Sequence, residues 1–106
     1  MTTTRVRACT LGCTLVLSCS RHVPTTHRVA IENFLLVPAS VVVAVGDTVE
    51  WTNTDFVPHT ATARDSVFDS KQIDGSGAWR LVARAAGKHA YYCVFHPNMQ
   101  GTVEVR

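Results

Sequence analysis

Cysteine is scarce where a disulfide scaffold would need it. The chain has 106 residues and 4 cysteines. Cys9, Cys13 and Cys19 stand near the N-terminus, which leaves Cys93 alone in the remainder. A framework of bridges needs pairs, so none holds that part together. Charge is sparse too. Charged residues make up 17% and the net charge is +2, with no basic run beyond the first few residues. That balance excludes a nucleic-acid surface of the usual basic kind and gives no strongly charged docking face, so partner choice rests on apolar contact. Methionine is limited to 2 residues, one of them Met1. No repeat or low-complexity segment is present. No window carries a helical period, and Pro38, Gly46, Pro58, Gly75, Gly77, Gly87 and Pro97 are spread too evenly for a long helix.

What is present falls into two parts. Arg5 and Arg7 precede Ala8 to Leu17, a run of apolar and small residues. It is too short to cross a bilayer as a helix but has the form of a secretory signal core. Val16-Leu17-Ser18-Cys19 is similar to the lipobox of bacterial lipoproteins, with Val16 where leucine is usual. The expectation is a signal or lipoprotein-type leader and tail over residues 1–26 and an exported protein, periplasmic or anchored outside the membrane, with either a lipid tether at Cys19 or a leader that is simply cleaved. Residues 27–106 then form one domain. In an oxidising compartment its one thiol, Cys93, is a liability unless something occupies it, and metal ligation does so.

From His27 onward the pattern is β. Val29 and Ile31, Phe34 to Leu36, Val41 to Val45, and Val49 with Trp51 are short β-branched or aromatic runs. Asn33, Pro38, Gly46-Asp47 and Asn53 to Asp55 interrupt them. Val49 and Trp51 alternate with Thr48, Glu50 and Thr52, so one face is buried. Gly75 to Gly77 opens a further strand with Trp79 and Leu81 inward, which Gly87 ends. Ala90 to Cys93 and Thr102 to Val105 close the domain. Seven or eight short strands predict an all-β sandwich of two sheets.

The chemistry concentrates in Tyr92-Cys-Val-Phe-His-Pro-Asn-Met-Gln-Gly101 and in Pro58-His59 upstream. Cys93, His96, Met99 and His59 offer a thiolate, two imidazoles and a thioether. A trigonal Cys-His-His site with a weak axial Met suits a single copper ion in one-electron transfer. Magnesium and calcium prefer oxygen, whereas zinc remains a chemical competitor for Cys and His. Each residue alone has a plainer reading: His59 a loop histidine, Cys93 a small buried residue, Met99 core. Only their arrangement makes ligands of them. His89 reads as packing or surface, Trp51 and Trp79 as core, and His22 and His27 as tail residues without a role. Asp55 and Asp65 lack an acid–base partner and read as turn or surface residues.

In their order along the chain, Val29 to Pro38, Gly46 to Asp55, Pro58-His-Thr60, Gly87 to Cys93 and His96 to Gly101 resemble the cupredoxins, in particular the plastocyanin, pseudoazurin and amicyanin group. The spacing of Cys93, His96 and Met99 is similar to the short ligand loop of amicyanin-like members. The resemblance covers residues 28–106. It implies a Greek-key β-sandwich with one type 1 copper held by His59, Cys93, His96 and Met99, and an electron carrier rather than an enzyme. It also implies an apolar patch around the solvent edge of His96, formed by Phe56, Val57, Pro58, Pro97 and Asn98, where cytochrome or oxidoreductase partners meet a monomer. Backbone N–H groups near Thr60 and in the loop from Val94 to Met99 are candidate donors to the Cys93 sulfur, and Tyr92 is a second candidate relay. The chain departs from the family pattern with His89 for a common Tyr, Ala83 for a common Phe, and Thr60 for an Asn that ties the two ligand loops.

The alternative function is copper handling by a periplasmic chaperone or storage protein, which the lack of Met-rich and His-rich tracts disfavours. A catalytic copper domain needs a second copper site, for which too few ligands remain. A metal-free adhesive sandwich leaves the lone thiol without a purpose.

Overall fold

The computed structural model describes residues 21–106. Cys9, Cys13, Cys19 and most of the expected leader lie outside the described residues. Eight strands follow in order: β1 Thr26–Glu32, β2 Leu35–Val37, β3 Ser40–Val43, β4 Thr48–Asn53, β5 Thr62–Ala63, β6 Ala78–Val82, β7 Gly87–Tyr92 and β8 Gln100–Val105. They form two four-stranded sheets, ordered β2-β1-β4-β6 and β3-β8-β7-β5. The chain changes sheet repeatedly between β2 and β7, as a Greek-key sandwich requires, so the all-β expectation holds. The parallel pairs β1 with β4 and β3 with β8 arise from these crossings.

Alternation decides which side chains meet. In β4, Val49, Trp51 and Asn53 are buried while their neighbours are not. Trp51 pairs with Val29 of β1 and Trp79 of β6 in register, so the larger groups of that sheet share one face. Tyr91, Val103 and Val105 answer from the other sheet. Trp51 Nε1 donates to the Tyr91 hydroxyl at 3.0 Å, and the two rings stand edge to face at 5.4 Å. Such a contact adds about 0.5–1.5 kcal/mol beyond area burial. Burial pushes the Tyr91 phenol up to about 12. Gly101 makes room for this ring: a Cβ there would lie 2.7 Å from two of its carbons and 2.6 Å from the Ala39 carbonyl oxygen. Larger side chains have no space at that position.

Several boundaries differ from the sequence reading. Phe34 is not in a strand; it has φ 62° in a two-residue turn with Asn33, φ 52°. Val45 lies in the turn that contains Gly46 and Asp47 rather than in β3. Gly87 does not end β6 but opens β7, at φ 125°. The two-residue β5 was too short to carry a pattern. At the N-terminal side, buried Asp47 binds His22 Nε2 at 2.6 Å, His27 Nε2 at 2.9 Å and the Thr25 and Ala44 N–H groups at 2.9 Å. The Ala44 N–H leads the donors that hold its carboxyl far below the usual range. His22 and His27 are therefore attached to the sandwich rather than free of it.

The two core departures meet in one place. Ala83 and His89, both buried, help line a cavity of about 180 Å³ with Phe68, Leu81, Val103 and Val105. His89 is satisfied at both nitrogens, by the Asp65 carboxylate at 2.6 Å and the Ala85 carbonyl oxygen at 2.8 Å. Both partners accept only, so the doubly protonated ring suits them. The Asp65 hydrogen bond is the main cause that raises the His89 pKa above 6.5. A raised folded-state pKa means stability that is complete below the unfolded value and lost as pH climbs through the folded one. Asp65 is 46% exposed, so solvent screens the pair and the effect is modest. In urea unfolding, Asp65→Asn should have a lower midpoint than the parent at about pH 6, with the gap closing by about pH 9. A gap that stays constant across that range would contradict the charged pairing.

Candidate metal centre

The four sequence-selected residues come from two loops at one end of the sandwich. Cys93 directly follows β7, and the chain turns at once: Cys93 accepts from the His96 N–H at 3.2 Å, His96 accepts from the Met99 N–H at 2.9 Å, and the Cys93 N–H donates to Met99 at 3.1 Å. This closed loop holds His96 and Met99 close to the cysteine. His59 arrives from the connection after β4. Asn53, buried at the end of that strand, ties the connection down: its Nδ2 donates to the Val57 carbonyl at 2.8 Å and the Ile73 carbonyl at 3.0 Å, and its Oδ1 accepts the Asp55 N–H at 2.9 Å. His59 also exchanges backbone hydrogen bonds with Ile73, at 2.8 and 3.1 Å.

The result is convergent. His59 Nδ1 and His96 Nδ1 each lie 3.7 Å from Cys93 Sγ. All three donor atoms are within 4.8 Å of one another, the one such group among the described residues. Those separations are too long for good hydrogen bonds. They do suit donors around a common ion. Taking zinc lengths as a guide, about 2.3 Å to sulfur and about 2.0 Å to nitrogen, a trigonal angle places sulfur and nitrogen about 3.7 Å apart. His59 and Cys93 are fully buried, and His96 is half-buried. Met99, in the same loop, is 4% exposed. The thioether of Met99 is a soft donor type that suits copper, whereas zinc closes its structural sites with a full set of stronger donors. The residues present therefore fit a copper ion.

The surroundings hold the donors in place. The Thr60 N–H donates to Cys93 Sγ at 3.3 Å, one of the donors expected from sequence. The Thr60 hydroxyl accepts the Val94 N–H at 2.9 Å and bonds the Thr62 hydroxyl at 2.9 Å. Threonine here joins the two ligand loops itself, so the departure from Asn at this position leaves the tie in place. Tyr92 points to the other side of β7, half-buried, with the Arg64 guanidinium 4.3 Å from its ring centre.

Two participants were not recognised from sequence. Asp55 fills the expected turn role by accepting the Asn33 and Phe34 N–H groups at 2.6 and 3.0 Å, but it also binds His59 Nε2 at 2.8 Å. Burial works against its charge, and these hydrogen bonds outweigh it, so its carboxyl lies below the usual range. Phe34 stands edge-on to both imidazoles, 5.3 Å from His59 and 4.9 Å from His96. Its turn, not a strand, puts it there. A turn signal at Asn33 was readable; the direction of the following ring was not. Phe34, Phe56 and Val57 share one hollow beside Asp55, and Phe56 is fully exposed. Val94, Phe95 and Pro97 add further exposed apolar groups next to His96.

Thr60→Val keeps the side-chain volume and removes the acceptor for Val94. An unmatched N–H in this half-buried loop costs about 1–3 kcal/mol. Denaturant unfolding of the metal-free protein should show a loss in that range; an unchanged midpoint would mean that the hydroxyl does not join the loops.

No family model matches the chain. Among curated proteins, amicyanin of Paracoccus versutus is 28% identical over 82 residues, covering 73% of this chain and 62% of that protein. Amicyanin of Paracoccus denitrificans is 35% identical over 68 residues, covering 59% of this chain and 52% of that protein. The chain thus spans less than two thirds of these relatives. Among solved structures, a methionine-to-alanine variant of amicyanin in its Cu(I) form superposes with a TM-score of 0.71 at 27% identity, over 76% of this chain and 82% of that one. A purple cupredoxin from Nitrosopumilus maritimus gives 0.69 at 29% identity, over 76% of this chain and 99% of that one. Three of these likenesses cover about three quarters of this chain, which is similar to the cupredoxins in sequence and fold.

Proposed function

We propose that this chain is a single-domain blue copper protein that carries one electron at a time between redox partners, with His59, Cys93, His96 and Met99 as its ligands. The observation that carries the reading is the pair of 3.7 Å separations from Cys93 Sγ to the two Nδ1 atoms. Bound there, copper supplies a one-electron couple between its cupric and cuprous states. The protein's part is to keep the donors still. Cys93 and His59 sit in a packed interior, so neither has room to change its position greatly, and a site that moves little suits both oxidation states. The Thr60 N–H stabilises charge on the sulfur. Met99 would be the fourth donor, through its thioether sulfur.

His96 is the one of the three convergent donors with partial access to solvent, and its surroundings are apolar. Phe34, Phe56, Val57, Phe95 and Pro97 form a face that a redox protein can approach without desolvating charge, consistent with the sparse charge of the whole chain. Electrons pass through the His96 edge, with Tyr92 as a second route. The domain is a carrier rather than an enzyme and acts as a monomer. Export to the periplasm, with Cys19 as tether or a cleaved leader, belongs to the same reading; it also accounts for a mature domain that keeps one cysteine.

The purified protein loaded with cupric ion should show an intense visible absorption that bleaches on reduction and returns on oxidation. Cys93→Ser should remove that absorption while the far-ultraviolet circular dichroism keeps its β signature. Colour that survives in the Ser variant would overturn the ligand assignment. A colourless cuprous protein that yields its ion to a competing chelator would indicate copper handling instead of electron transfer.

A further inference from the structure

We propose that Asp55 is a positioning residue of the metal centre, whose carboxylate sets the tautomer and ring orientation of His59 and favours the more positive oxidation state of the ion. This inference rests on the copper reading above.

The geometry starts with His59, which is fully buried and has both ring nitrogens committed. Nδ1 faces Cys93 Sγ, and Nε2 is 2.8 Å from Asp55 Oδ2. An ionised carboxylate only accepts hydrogen bonds. Nε2 must therefore hold the ring proton, which leaves the Nδ1 lone pair free toward the sulfur and the ion. Outer partners of this type fix a histidine's tautomer and raise its basicity as a ligand.

Asp55 is itself held. It accepts the Asn33 and Phe34 N–H groups, and its own N–H is bound by buried Asn53. Its side chain is 12% exposed, so solvent screens its charge only in part. Among the described residues, no Lys or Arg forms an ion pair with it. A negative charge beside one imidazole stabilises the cupric state more than the cuprous state. It lowers the reduction potential. The bond to the Phe34 N–H adds a second consequence: the carboxylate that orients His59 also anchors the turn whose ring packs against both imidazoles.

A merely structural brace and a tuning carboxylate give different results. Asp55→Asn keeps an acceptor of similar shape and removes the charge; Asp55→Glu keeps the charge. In the copper-loaded protein, Asp55→Asn should shift the cupric-to-cuprous affinity ratio at least tenfold toward cuprous, which is about 59 mV upward for one electron. Asp55→Glu should recover most of that shift. In the metal-free parent, ring nitrogen-15 NMR should find the His59 proton on Nε2. An Asp55→Asn protein with the visible band and an unmoved potential would overturn the proposal, as would a His59 proton on Nδ1. Absence of any visible band in the parent would count against the copper reading alone, since the tautomer is read without metal and stays a test of the Asp55 contact.

Discussion

The whole site depends on holding two loops at a set separation. Cys93, His96 and Met99 are close in sequence and can find one another within a tight turn. His59 cannot, because it comes from the connection after β4, on the other sheet. Its place beside the sulfur results from a sequence of contacts: Asn53 binds the Val57 and Ile73 carbonyls, His59 pairs with Ile73, and Thr60 binds both Cys93 Sγ and the Val94 N–H. Each bond adds only about 0.5–1.5 kcal/mol net. Their importance is geometric. Because the scaffold is ordered by its own core, it sets the spacing of His59, Cys93 and His96.

The sandwich supports this from behind. Trp51 and Tyr91 join the two sheets through an edge-to-face contact and a hydrogen bond in the core. Tyr91 lies two residues before Cys93, and both are buried, so the packing that anchors the core also fixes the strand that delivers the cysteine. Gly101 allows that packing by leaving the Tyr91 ring its space. A protein that rests on one such seam has a rigid end for chemistry, while polar and charged groups such as the Asp65–His89 pair serve the body of the fold.

Much of this was readable in the residues because two kinds of signal are local. Period-two alternation around Val49 and Trp51 marks a half-buried strand, and the spacing of Cys93, His96 and Met99 marks a turn with three soft or borderline donors. The fold class and the grouping of Cys93 with His96 follow from these; that His59 joins them was implied by the resemblance to the cupredoxins, not by any local pattern. What was not legible depends on backbone direction. Phe34 reads as the start of an apolar strand, yet its positive φ turns it out of β2 and onto the imidazoles. Asp55 reads as a turn former, and it is one, but which ring it would meet depends on where β1 and β4 lie side by side. Gly87 reads equally well as an end or a beginning. His22 and His27 have no sequence pattern of their own, and only the buried Asp47 carboxylate gives them partners. Thr60 replaces an expected amide with a hydroxyl that reaches the same neighbouring loop, an equivalence visible only in three dimensions.

X-ray absorption at the copper edge tests the central claim most directly, because it counts the atoms bound to the ion. The account predicts one copper per chain with a single short sulfur scatterer, two imidazole nitrogens, and at most a weak distant sulfur. A first shell made of oxygen and nitrogen alone, or one with two short sulfur scatterers, would contradict it.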